Sequence, residues 1–354
     1  METKLFQALA DICRELPERE RDIVKRRFGL GTEKETLQEI GNDFDLTRER
    51  VRQLQDKSLE RILPKLERHP FVQQLSAEAR EHLGRTRIRR EQTLLRAFAD
   101  QHGLSPVTQN VVHFFLVSHK KLAHQPETND LHGFWGDGMQ RAKLAQHILK
   151  KLLVLFLRNP KKLWQSEEML GLVEKELKRH LGVRATADEL RDFLRILKPI
   201  GQSPADEFGI LSHPRVGPSS LADKTAFVLD QAQKPLHFSE IHTALGKLAT
   251  LEGEFLSQRW QKRYSTQSIQ NLLIMGEEFV WTGMGTYALK GWGFRPGSIL
   301  ERMRDIVKRE RQISRDKLCE LLSKERRFSK ITFEAYLRNK TYFKLEGKMV
   351  KPVR

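Results

Sequence analysis

Four side chains in one short run have the chemistry to read a DNA duplex. Arg48, Glu49, Arg52 and Gln53 stand at i, i+1, i+4 and i+5, so a helix would carry them on one face. Arginine offers a bidentate fork to guanine, glutamine pairs with adenine, and glutamate accepts from cytosine N4. Arg50, Lys57 and Arg61 add positive charge on the same stretch, suited to phosphates. On an arbitrary amphipathic helix such charges most often mark only a solvated face, so the surrounding elements decide. Thr47 is a good N-cap, and Val51, Leu54 and Leu59 form an inward stripe. Pro64 is expected to end this helix after Leu63. Upstream, Thr36 and Glu39 make a capping-box pattern for a short helix. That helix carries Leu37, Ile40 and Phe44 on one face, with Gly41 placed for a close crossing. Asp45-Leu46 is a tight connection. A short helix, a tight turn and a longer basic helix make a helix-turn-helix, whose second helix enters the major groove. Two further helices are expected before it. One carries Leu5, Leu9, Ile12 and Leu16; the other follows Pro17, carries Ile23, Val24 and Phe28, and stops at Gly29.

Charge supports a polyanionic partner. The 354 residues hold 63 Lys and Arg against 46 Asp and Glu, a net +17, which puts nucleic acid ahead of a membrane surface. The excess is uneven. Residues 1–68 are neutral, with 15 basic and 15 acidic residues, whereas residues 295–354 hold 18 basic and 8 acidic. Cys13 and Cys319 are the only cysteines, which excludes a disulfide framework and a Cys-based zinc site and fits a reducing cytosol. The longest apolar run, Leu152 to Leu157, is too short to cross a bilayer, and Met1 to Leu16 lacks a signal-peptide layout.

The first segment resembles a known family. Leu16-Pro-Glu-Arg-Glu-Arg-Asp-Ile-Val-Lys-Arg-Arg-Phe-Gly-Leu30, Thr36-Leu-Gln-Glu-Ile-Gly41 and Leu46-Thr-Arg-Glu-Arg-Val-Arg-Gln-Leu54 are similar to region 4 of sigma-70-type RNA polymerase sigma factors. The resemblance implies a recognition helix that reads a promoter −35 element. Arg48, Glu49, Arg52 and Gln53 correspond to the base- and phosphate-contacting positions. It also implies that Leu16 to Leu30 docks on the flap of the polymerase β subunit, and that Lys57 and Arg61 match a surface touched by activators. The loop from Gly31 to Glu35 is shorter than in many members. No region 2 is recognisable, so a complete housekeeping-type sigma factor is not expected.

Residues 221–290 carry a second signature. A helix at Leu221 to Asp230 precedes Pro235-Leu-His-Phe-Ser-Glu-Ile241, a helix expected to be capped by Ser239. A basic insertion containing Lys262 and Arg263 follows, then a helix from Ser265 to Met275 and two strands around a glycine turn from Phe279 to Lys290. This pattern reads as a winged helix and resembles the HARE-HTH domain, which also occurs in the RNA polymerase delta subunit. Trp281 and Tyr287 are expected to pack in the core or against the wing. The last 60 residues repeat the plan, with helices capped at Ser298, Ser314 and Ser329 and a final hairpin. Lys330, Arg338, Lys340, Lys344 and Lys348 would face phosphates there.

The middle is less legible. Helices are expected at 91–101, 106–120, 139–158, 166–181 and 186–197. With a strand at Gly209 to Leu211, the last two would make one more degraded winged helix. The arginines at 85, 87, 89 and 90 read as a linker edge or a helix start. His113, His119, His124 and His132 have no metal-ligand spacing, so no metal is expected.

The expected fold is mainly α, with tandem helix-turn-helix and winged-helix modules carrying short β-hairpin wings. The expected segments are 1–69, 85–216, 219–292 and 296–354. Phosphate-loop, zincin and nucleophile-elbow motifs are missing from the sequence, and Glu207 stands alone as a carboxylate. The expectation is a sequence-specific, transcription-associated DNA-binding protein, not an enzyme, without a cofactor. It would act in the cytoplasm, associated with a bacterial nucleoid or encoded by a phage. Partners would be double-stranded DNA and the polymerase β flap, and no membrane. Two alternatives stand beside it: a DNA-binding subunit of a restriction or phage-defence system with an enzyme partner, and a non-catalytic protein-interaction adaptor.

Overall fold

The computed structural model describes residues 1–119, 121–253, 255–294 and 297–353. It is mostly helical with small antiparallel sheets, and it forms two compact units, Met1–Ile200 and Gly201–Arg354.

In the first unit, helix α1 (Glu2–Cys13) buries Leu5, Leu9 and Ile12, and α2 (Glu18–Phe28) buries Ile23 and Val24. Helix α3 (Leu37–Asp43) opens with the expected capping box, because Thr36 Oγ1 accepts from Glu39 N and Glu39 accepts from Thr36 N. Asp45 takes a left-handed φ of 53°, and Leu46 N donates to Gly41 O at 2.8 Å, which closes the turn. A Cβ on Gly41 would lie 2.6 Å from Leu46 O, so only glycine lets the turn fold back this tightly.

Helix α4 (Arg48–Arg68) does not end at Leu63: it runs through Pro64. Proline removes one intrahelical hydrogen bond. The fully buried Leu66 anchors the turn beyond it in the main core, where Ile62 is also buried, and this packing overrides the local break.

Helix α5 (Pro70–His82) fills the expected break after residue 69, with Pro70 serving at its first turn. One hydrophobic core runs from Leu5 through Leu66, Leu75 and Phe98 to Trp135, so residues 1–69 share their larger core with the helices and strands that follow. Of the two expectations for the arginine run that follows, a linker edge or a helix start, the second fits its end, where Arg90 is the N-cap residue of the helix Glu91–His102. Ile88–Arg90 is a strand, and Arg87 and Arg89 donate to the carbonyls of Arg80 and His82 near the end of α5. Helices Glu91–His102 and Pro106–Val117 come next, then strands Leu122–Gln125 and Phe134–Asp137. The last strand lies between the other two, antiparallel to both. This sheet is absent from the sequence expectation. The remaining helices, Met139–Arg158, Ser166–Leu181 and Ala187–Leu194, fall close to the expected positions.

The second unit repeats the same order twice: helix, short strand, helix, helix, two strands. Its first copy uses helices Leu221–Ala232, Phe238–Leu248 and Thr266–Met275, with the hairpin Phe279–Gly283 and Thr286–Leu289. The cap of its second helix is His237, not Ser239: His237 Nδ1 accepts from Ser239 N at 3.3 Å. The insertion is pinned by Trp260, which is buried and donates Nε1–H to Val216 O at 3.1 Å. Tyr287 is buried as expected, whereas Trp281 is 40% exposed, with the Arg326 guanidinium 5.5 Å from its ring centre. The second copy uses helices Ile299–Glu310, Arg315–Glu325 and Lys330–Leu337, with the hairpin Phe343–Glu346 and Met349–Pro352. The expected boundary between the segments ending at 292 and starting at 296 includes residues 295 and 296, which lie outside the described residues. The strand expected at Gly209 to Leu211 appears at Glu207–Ile210, and Glu207 is buried there against Arg215 and Ser203.

Candidate nucleic-acid interface

The candidate surface is built by the second helix of the turn motif. Val51, Ser58, Ile62 and Leu66 are buried at intervals of about one or two turns, and this fixes the rotation of α4 about its axis. Val51 meets Ile23 and Ile40 in a small core of its own, flanked by Leu37, Phe44, Leu46 and Leu54. Thr47 Oγ1 accepts from Arg50 N at 3.2 Å and starts the helix where expected. With that face turned inward, Arg48, Glu49, Arg50, Arg52, Gln53, Lys57 and Arg61 are all exposed.

They are not equivalent. Arg52 donates from Nε and Nη2 to Glu49 at 2.9 and 2.7 Å, and from Nη1 to Asp56 at 2.7 Å. The Arg52 hydrogen bond holds the Glu49 carboxyl below the usual carboxylate range. Arg50 Nη1 donates to Gln53 Oε1 at 3.2 Å. Arg61 reaches back to Glu20, 3.4 Å away, which also accepts from the buried Ser58 hydroxyl at 3.3 Å. Arg61 therefore ties α2 to α4 as well as presenting charge. Arg48 and Lys57 have no hydrogen-bond or ion-pair partner among the described residues, so their cations are free for an incoming anion.

The turn is braced from α2. Arg19 donates to Phe44 O at 2.8 Å, and its guanidinium lies 5.1 Å from the Phe44 ring centre. Arg26 grips Glu35 through two hydrogen bonds and also pairs with Asp43. Cations at the end of α3 suit its negative dipole end. These two arginines carry no signal in the sequence beyond their place on α2 opposite the apolar stripe.

The comparisons with known proteins fall on this same segment. The family model described as "Sigma-70, region 4" matches residues 14–62. Residues 14–62 form a sigma-70 region 4 domain. RNA polymerase sigma factor RpoD of Neisseria gonorrhoeae is 38% identical over 71 residues, 20% of this chain and 10% of that protein. RNA polymerase sigma factor SigA of a Bacillus species is 40% identical over 67 residues, 19% of this chain and 16% of the relative. SigA of Synechocystis sp. is 40% identical over 67 residues, 19% of this chain and 15% of the relative. The chain thus spans a small share of these relatives.

The apolar residues of the segment expected to dock on the polymerase flap face inwards. Leu16, Ile23, Val24 and Leu30 are buried in this chain's own cores, and the Phe28 ring centre sits 5.0 Å from that of Phe114. What the Leu16 to Leu30 segment presents outwards is polar: a cleft of about 720 Å³ lined by Glu18, Arg19, Arg21, Asp22, Lys25 and Phe44.

The other expected cations are exposed as well, but only some converge. Arg338, Lys340 and Lys344 line one open cavity of about 820 Å³ together with Lys351. Lys330 and Lys348 lie outside its lining. Lys344 pairs with Glu346 at 3.0 Å. Lys262 is exposed with its ammonium 5.4 Å from the Tyr264 ring centre, and Arg263 beside it is exposed. Among the described residues no helix is long and apolar enough to cross a membrane.

Proposed function

We propose that this chain is a sigma-like, sequence-specific DNA-binding protein acting in the cytoplasm on transcription. The observation that carries the reading is the exposed first half of α4 within a region 4 domain. There Arg48 is unpaired, and Glu49, Arg52 and Gln53 sit beside it, each with bonding capacity for a base edge. In this reading α4 enters the major groove of a −35-like element. Arg48 and Gln53 take purine edges, Glu49 accepts from cytosine and orients Arg52, and Arg50, Lys57 and Arg61 steady the helix against phosphates.

The segments at 221–289 and 299–352 act as winged helices, the first of HARE-HTH type. Their helix order and three-stranded sheets support this. The cluster of Arg338, Lys340 and Lys344 adds a phosphate contact that strengthens binding without choosing the site. Polymerase contact through the β flap would use the polar outer side of α2. The chain acts by binding, and the reading assigns it no catalytic step.

The test is a gel-shift and footprinting series with the full chain on a promoter duplex and on a duplex with the −35 element scrambled. The expected result is a preference for the intact element that Arg48→Ala reduces by about 1–3 kcal/mol. Equal affinity for both duplexes overturns the reading.

A further inference from the structure

Outside the DNA-reading surface, one cluster has a composition that the expected function does not use. Glu91 opens helix Glu91–His102, His113 lies on helix Pro106–Val117, and His124 lies on strand Leu122–Gln125. One ligand atom from each, a carboxylate oxygen and two imidazole nitrogens, lies within 4.8 Å of the other two. His124 Nε2 is 2.7 Å from Glu91 Oε2, and His113 Nε2 is 3.1 Å from Glu91 Oε1. His113 Nε2 is nevertheless sealed from solvent without a hydrogen bond of acceptable geometry. A buried nitrogen of this kind, close to a carboxylate without a well-formed hydrogen bond to it, keeps a lone pair or N–H to be satisfied.

The surroundings hold the three groups in place. The Trp135 ring packs on His124 with centres 4.6 Å apart and meets His113 edge-on at 5.8 Å. Glu91 N donates to Gly133 O at 2.8 Å. A Cβ at Gly133 would fall 2.4 Å from Glu91 Oε2 and 3.5 Å from His124 Nε2, so the missing side chain leaves the carboxylate its space. Beyond Glu91 opens a cavity of about 320 Å³, lined in part by Gln92, Gln109 and His132.

We propose that Glu91, His113 and His124 form a binding site for one divalent transition-metal ion of the zinc class. Two imidazoles and a carboxylate are a ligand set for zinc and its neighbours, whereas magnesium and calcium take oxygen ligands. At metal–ligand distances of about 2.0–2.2 Å, tetrahedral ligand atoms stand roughly 3.3–3.6 Å apart. The observed spacings, 2.7 and 3.1 Å from the carboxylate to the two imidazoles and all within 4.8 Å, lie close to that range. Water from the cavity takes the fourth position. The ion would cross-link two helices and a strand that otherwise meet through hydrogen bonds and packing. This site is independent of the DNA-binding reading.

Zinc titration of the chelator-treated full chain by calorimetry, with cobalt as a visible spectroscopic probe, tests the proposal. One ion per chain should bind, with visible ligand-field bands for cobalt. Glu91→Gln, His113→Gln and His124→Gln should each weaken binding by at least about tenfold. His147→Gln should leave it unchanged; that residue neighbours His180 in a different pair, with ring centres 5.9 Å apart. X-ray absorption on the unaltered zinc-loaded chain requires no folded variant, and should show two imidazoles with oxygen ligands. Three results would each overturn the site: no saturable uptake, uptake that survives His113→Gln together with His124→Gln, or an absorption spectrum without imidazole scattering.

Discussion

The region 4 domain and the terminal segment at 299–352 both present a capped helix with cations on it, yet they are built differently. Around α4 part of the charge is bonded, with Arg52 held by Glu49 and Asp56 and Arg61 by Glu20, while Arg48 and Lys57 have no such partner among the described residues. Among the described residues, three buried side chains, Ile23, Ile40 and Val51, form the core beneath the turn. The terminal segment has an eleven-residue core, and its Lys330, Arg338 and Lys340 have no ion-pair partner among the described residues. Base reading needs groups with a fixed direction, and bonds from Arg52 to Glu49 and from Arg50 to Gln53 hold the neighbours of Arg48 in place. Phosphate attraction needs only an excess of charge, and residues 295–354 carry 18 basic residues against 8 acidic. The first surface is therefore sensitive to any loss of geometry, and the second to any loss of charge.

The largest test of this contrast removes the small core. Ile40→Ala should cost about 2–5 kcal/mol, read as protection lost in α2, α3 and α4 by hydrogen exchange, with specific DNA binding lost alongside. Leu322→Ala in the terminal core should cost a similar amount there and leave base preference unchanged. Next in size, Arg48→Ala should lose about 1–3 kcal/mol on the preferred duplex only. Arg338→Ala should weaken every duplex alike and lower the salt slope by about one. Binding isotherms at several salt concentrations separate the two. Smaller again, Thr47→Ala and Ser329→Ala each remove an N-cap and should each cost about 1 kcal/mol in urea unfolding, but only the first should blur base preference.

The smallest effect is on pH. Lys351 and Lys344 hold the Glu346 carboxyl down at about 2, and the Thr36 N–H and hydroxyl lower that of Glu39. A carboxyl lowered by folding stabilises the folded state above its unfolded pKa, near 4.3, and that contribution fades as pH falls toward the folded value. The thermal midpoint advantage of wild type over Glu346→Gln should therefore shrink as pH drops from about 5 toward 2.

Local chemistry made much of this readable in the sequence. The capping box at Thr36, the N-cap at Thr47, the close approach at Gly41 and the exposed cations of α4 depend on residues a few positions apart, and the structure bears them out. Where the sequence misled, tertiary packing had overridden a local signal. Pro64 stays helical because Leu66 is anchored, and Pro70 starts a helix where a break was expected. The strand Ile88–Arg90 has only three residues, and its partner lies more than 40 residues on, so no alternation could reveal it. The convergence of His113 and His124 was hidden for the same reason. Their common partner, Glu91, comes from a third element, and no spacing motif links the three.

The most direct measurement is selection of duplexes from a random pool by the full chain and by Arg48→Ala, followed by sequencing. If α4 reads bases, the full chain enriches one element, and Arg48→Ala loses preference at a defined base pair while still retaining DNA at low salt. An identical enriched element from both proteins would contradict base reading by this helix.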